Sequence, residues 1–104
     1  MNETLNEIDF LTVIAGRKKK EPLLVAISQN GGRLLNIMYG RGSVKASYIL
    51  DAFGFVPEEN KVVITFLLPK KKSGAMIKML TETFEFDKPN TGIAFTVPVD
   101  ALSF

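Results

Sequence analysis

Apolar positions in this chain gather into short blocks bounded by glycine, proline and charged residues. Ile8–Gly16 (IDFLTVIAG) is apolar, partly β-branched and closed by glycine, which predicts a strand. Leu34–Tyr39 (LLNIMY) predicts a second strand, running into Gly40-Arg41-Gly42. Lys61–Leu68 (KVVITFLL) is the clearest strand pattern, and Pro69 stops it. Gly92–Val99 predicts a last strand, with Pro98 favouring a sheet edge. Between Ser73 and Phe86, the residues Met76, Leu80 and Phe84 recur every four positions, with Ile77 and Thr83 beside them. That spacing predicts a helix with one apolar face, and Ser73 is a suitable N-cap. Glu21–Gln29 (EPLLVAISQ) reads two ways. Its continuous apolar run suits a buried strand, whereas Pro22 and the Asn30-Gly31-Gly32 stop suit a helix. Periodicity does not decide so short a run. Ser43–Asn60 is a connector in which Ser47 and Gly54 bracket a short helix, and residues 1–7 read as a flexible polar lead-in.

With a helix over Glu21–Gln29 the order becomes β-α-β-β-α-β, a ferredoxin-like α+β pattern with antiparallel sheet order 4-1-3-2. That topology has a geometric consequence. It brings Arg17–Lys20, Gly40–Gly42 and Asp87–Gly92 to one end of the sheet, together with the start of the first helix, and sends Lys70–Lys72 to the other end. Glycine beside basic and hydrogen-bonding side chains at strand ends suits backbone amides that hold an anion. A phosphate-bearing ligand is therefore expected at that end.

Composition narrows the chemistry further. The 104 residues suffice for one domain over 1–104, and the hydrophobic content of 46% is that of a packed protein. Cysteine and histidine are both absent, which removes thiol chemistry, the usual neutral-pH general base and the commonest metal ligand. No metal site and no catalytic residue are expected; Glu58-Glu59 beside Pro57 is a turn without acid–base geometry. Net charge is only +2, but the basic residues clump at Arg17–Lys20 and Lys70–Lys72. No aromatic residues interleave with these clumps, so nucleic acid is not an expected partner. Val62–Leu68 is far too short for a membrane span, and the acidic, polar start does not read as a signal peptide. A cytoplasmic protein without direct membrane insertion is expected.

The segments Tyr39-Gly40-Arg41-Gly42 and Asp87-Lys88-Pro89-Asn90-Thr91-Gly92-Ile93-Ala94-Phe95-Thr96-Val97-Pro98-Val99-Asp100, with the connector and the β-α-β opening, resemble the nitrogen regulatory PII family, in particular its short PII-like members. The resemblance spans roughly residues 8–102 and selects a helix for Glu21–Gln29, against local propensity. It implies a homotrimer that binds adenine nucleotides in clefts between subunits and regulates an enzyme or membrane transporter. ATP, ADP or AMP would be an effector rather than an obligatory cofactor. By the same resemblance Gly40, Arg41 and Gly42 form the base of the T-loop, about Ser43–Asn60, and Asp87–Gly92 forms the B-loop; Lys88, Thr91 and Gly92 read as ligand contacts there, and Asp87-Lys88-Pro89-Asn90 reads equally as turn chemistry.

This chain also departs from the family pattern. Ile93 stands where a lysine usually follows the B-loop glycine, and Ala101-Leu102-Ser103-Phe104 carries no arginine. Arg17 and Lys18–Lys20 are candidates to replace that charge. The connector is apolar (Tyr48, Ile49, Leu50, Phe53, Phe55, Val56), and Tyr48 does not take the role of the tyrosine modified in some family members. An alternative function follows: a ligand-free interaction protein of the same fold that docks through Tyr48, Phe53 and Phe55. A small acylphosphatase-like hydrolase fits poorly, because Gly16-Arg17 is followed only by lysines.

Overall fold

The computed structural model describes residues 7–41, 60–88 and 91–100, with the Arg41 side chain excepted. Strand β1 (Ile8–Gly16) passes through a 3-10 turn (Arg17–Lys19) into helix α1 (Lys20–Gln29). Strand β2 (Arg33–Arg41), strand β3 (Asn60–Pro69), helix α2 (Lys70–Thr83) and strand β4 (Gly92–Pro98) follow. The sheet order is β2-β3-β1-β4 and every pairing is antiparallel. This is the ferredoxin-like α+β arrangement expected from the sequence, with β4 on an edge as Pro98 suggested.

Alternation along the strands separates the two sheet faces. Leu11, Val13 and Ala15 of β1 and Val62, Ile64, Phe66 and Leu68 of β3 are fully or almost fully buried beneath the helices. Leu23 and Ile27 of α1, one turn apart, and Met76, Leu80 and Phe84 along α2 complete this core. Thr83, placed beside that stripe by the sequence pattern, is exposed. The opposite face has no helix over it among the described residues. There Phe10, Met38, Phe95 and Val97 are exposed, and Ile14, Val63, Leu67 and Ile93 are half-buried.

Helix α1 ends in a Schellman motif, which explains why the ambiguous Glu21–Gln29 segment folds as a helix. Gly31 sits at φ 98°, the Gly32 amide donates to Ile27 O at 2.9 Å, and Gly31 N donates to Ser28 O at 3.3 Å. A residue with a Cβ is strained at that φ, so Asn30-Gly31-Gly32 stops the helix as the sequence suggests.

Helix α2 departs from expectation at both ends. It begins at Lys70, three residues before Ser73, with Pro69 as its N-cap, and it closes at Thr83, with Glu85 at φ 60° just beyond. Ser73 is therefore not a cap. Its buried hydroxyl donates to Asp9 Oδ2 at 2.7 Å, tying the helix to β1, while Lys70 Nζ lies 4.0 Å from Asp9 Oδ1. Asp9→Ala leaves the buried Ser73 hydroxyl without its acceptor, and a stability loss of about 1–3 kcal/mol is expected. Urea unfolding checks this, and adding Ser73→Ala should cost less than the two single losses summed.

Candidate functional site

Strand register fixes the site. Lys61 stands opposite both Gly16 and Gly40, and Ala15 stands opposite Gly92. The 3-10 turn, the exit of β2 and the entry to β4 therefore share one end of the sheet, while Ile8 opposite Pro69 marks the other end, where Lys70–Lys72 lie. Strand β2 continues through Gly40 and Arg41 rather than stopping at Tyr39, so these two residues are the end of a strand and not a loop.

Arg17 reaches across this end. Its guanidinium carbon lies 4.7 Å from the centre of the Tyr39 ring, a cation–π distance, and Nη2 donates to Gly40 O at 3.2 Å and to Lys61 O at 3.5 Å. Nε is enclosed and has no hydrogen-bond partner among the described residues. Lys20 approaches the same ring, with Nζ 5.5 Å from its centre, donates to Tyr39 Oη at 2.9 Å and pairs with Glu21 at 3.1 Å. The Tyr39 hydroxyl first and Glu21 second raise the Lys20 ammonium above its ordinary value. Lys18 is exposed in the 3-10 turn.

Facing them, the segment before β4 is organised by its own contacts. Thr91 Oγ1 lies 2.7 Å from Glu85 O and 2.8 Å from Lys88 O, so its hydroxyl closes the loop on itself. Lys88 Nζ pairs with Glu85 Oε1 at 3.0 Å. That contact lowers the Glu85 carboxyl below its ordinary value and raises the Lys88 ammonium above its own. A lowered carboxyl loses its contribution as pH falls, and a raised ammonium loses its contribution as pH rises. The exposed pair therefore acts fully between the ordinary values of 4.5 and 10.5. Lys19 also adds to the lowering at Glu85, which agrees with the two segments facing one another. Gly92 is needed for space: a Cβ there would overlap the Phe86 ring, which itself lies against Phe84 with centroids 6.4 Å apart.

The structure thus brings Arg17, Lys18, Gly40, Lys88, Thr91 and Gly92 to one end and carries the Arg41 backbone there. Gly42, Tyr48, Phe53 and Phe55 lie outside the described residues. Sequence reasoning placed Lys20 at this end within Arg17–Lys20 but missed Tyr39 as a member of the cluster. The available signal was a tyrosine closing β2 at the end where Arg17–Lys20 begins.

Solved structures share this fold. CPII from Thiomonas intermedia K12, a nitrogen regulatory PII-like protein, in its apo form aligns with a TM-score of 0.68 at 16% identity over 86% of this chain and 86% of that chain. The same protein bound to ADP, AMP and acetate gives 0.65 at 16% identity over 86% and 82%. The chain has the PII-like fold. A DUF3240 family protein from Shewanella baltica OS155 also aligns with this chain, at a TM-score of 0.65 and 13% identity over 94% of this chain and 96% of that one. No protein-family model and no curated protein matches this sequence. No helix among the described residues is long and apolar enough to cross a membrane.

Proposed function

We propose that this chain is a regulatory PII-like protein: a homotrimer that senses an adenine nucleotide in clefts between subunits and controls a partner enzyme or transporter. The observation that carries the reading is the convergence of three separate segments at one sheet end, bearing Arg17 and Lys20, Gly40 and Arg41, and Lys88 and Gly92. Cations and strand ends gathered at one place suit a phosphate chain. CPII, whose fold this chain shares, binds ADP and AMP, which favours an adenine nucleotide as the effector. The apolar open face of the sheet supports self-association, because contiguous apolar surface of that kind marks an interface. The reading treats residues 1–104 as one cytoplasmic domain without a catalytic role, an obligatory cofactor or a nucleic acid partner.

Calorimetry against ATP, ADP and AMP, with and without Mg²⁺, tests it. Saturable binding near one nucleotide per subunit, lost in Arg41→Ala, is the expected result. No heat at millimolar nucleotide overturns the nucleotide reading.

A second reading has its own support. Thr91 and Lys88 are already engaged within their loop, by backbone carbonyls and by Glu85. A protein that kept the fold but docks on its target without a ligand, through Tyr48, Phe53 and Phe55, would look the same. In that case Arg41→Ala leaves partner docking intact.

A further inference from the structure

We propose that a row of polar side chains crossing the helix-free face of the sheet, Asn36, Thr65 and Thr12, selects the register and the copy number in which copies of this chain assemble. The inference rests on the reading of this chain as a homo-oligomer and goes beyond it by naming the side chains that pick one arrangement.

The strand ladder places the row. Asn36 of β2 stands opposite Thr65 of β3, Thr65 opposite Thr12 of β1, and Thr12 opposite Phe95 of β4. Directly paired residues share a face, so the row runs straight across all four strands. The rows on either side differ in kind. Leu67–Phe10–Val97 and Val63–Ile14–Ile93 are apolar throughout. Polar chemistry is thus confined to one register in the middle of an apolar block.

Burial makes that position costly. Thr12 and Thr65 are each only 9% exposed, although no helix among the described residues covers this face. Their hydroxyls and the Asn36 carboxamide make no hydrogen bond to another described residue. Whatever covers the face takes the remaining water from both hydroxyls, and a buried hydroxyl without a partner is destabilising. Valine has nearly the same shape as threonine and suits a strand equally, so packing alone does not call for threonine at both places.

The partner that fits is a second copy of the chain. A hydroxyl and a carboxamide each donate and accept, so an identical row supplies what this row lacks. Like charges repel where identical faces meet, and no side chain in these three rows is charged. An apolar surface by itself is indifferent to sliding. A displaced copy sets each hydroxyl against an apolar row and leaves it unpaired, which selects one register, as a single buried asparagine does in a coiled coil. The angle at which copies meet then decides whether a ring closes and with how many members.

Sedimentation velocity and native mass spectrometry on the full chain test the row. The unaltered chain is expected at a single copy number. Thr12→Val with Thr65→Val should stay folded by circular dichroism and still associate, but with the share of other copy numbers raised about tenfold or more. Thr12→Ser with Thr65→Ser keeps both hydroxyls and should keep the single mass. A valine variant that keeps the single mass, or that falls to monomers, overturns the selecting role and leaves the self-association of the unaltered chain standing. Mixed masses in the serine variant as well overturn it, because the hydroxyls are then not what selects. An unaltered chain that is monomeric at every concentration removes both the assembly and the role of the row. A single copy number other than three keeps the row and removes the trimer.

Discussion

Gly92→Ala is expected to destabilise the fold by about 1–3 kcal/mol, the usual range for overpacking a filled site. The added methyl would sit inside the Phe86 ring, and that ring is backed by Phe84 of the core. For a domain of this length the loss corresponds to roughly 4–8 °C in Tm per kcal/mol. Thermal unfolding measures it directly. Shrinking the obstacle should restore much of the loss, so Gly92→Ala with Phe86→Leu is expected to unfold later than Gly92→Ala alone. The experiment separates two reasons for a glycine at the entry to β4. If Phe86→Leu gives no rescue, packing against the ring is not why glycine stands there, and close approach of a ligand to the backbone becomes the better account.

Phe95→Glu is expected to reduce the proposed trimer to monomers. Phe95 stands opposite Thr12 in the middle of the helix-free face, with Phe10 and Val97 further along the same face. A carboxylate buried there without a partner carries a desolvation penalty of several kcal/mol per ion, repeated in every subunit of a symmetric assembly. Light scattering should then give the 11.5 kDa chain mass in place of a multiple of it. The substitution lies on the face away from the core, so circular dichroism should stay folded. An unchanged oligomer mass would show that subunits do not meet through this face.

Much of the fold was legible because period and punctuation agreed. Apolar runs bounded by glycine and proline gave β1 and β3, and the fourfold spacing of Met76, Leu80 and Phe84 gave the buried stripe of α2. The beginning of α2 was not legible. Three lysines at a helix N-terminus oppose its dipole, and Ser73 carries the stronger cap propensity, yet its hydroxyl is drawn to Asp9, sixty-four positions away in sequence. Local propensity has no access to such a partner. The candidate site divides along similar lines. Its location followed from topology once the strand order was set. The occupancy of its side chains did not, because Arg17 on Tyr39 and Thr91 on Glu85 are choices among competing hydrogen-bond partners that only coordinates reveal.

One irregularity bears on how far this chain can associate. Between the pairs Arg33–Leu67 and Asn36–Thr65, β2 carries one more residue than β3, so Leu34 and Leu35 together face Phe66, with Leu34 at φ 55°. Strand β2 is an outer strand of the sheet among the described residues, and the outward backbone of such a strand is a template on which another chain could add. The extra residue breaks the even spacing of that template and twists it away from a flat partner. Growth by strand addition along β2 is thereby discouraged. Any strand-to-strand growth would therefore have to run from β4, the other outer strand, whose pairing with β1 has no such break.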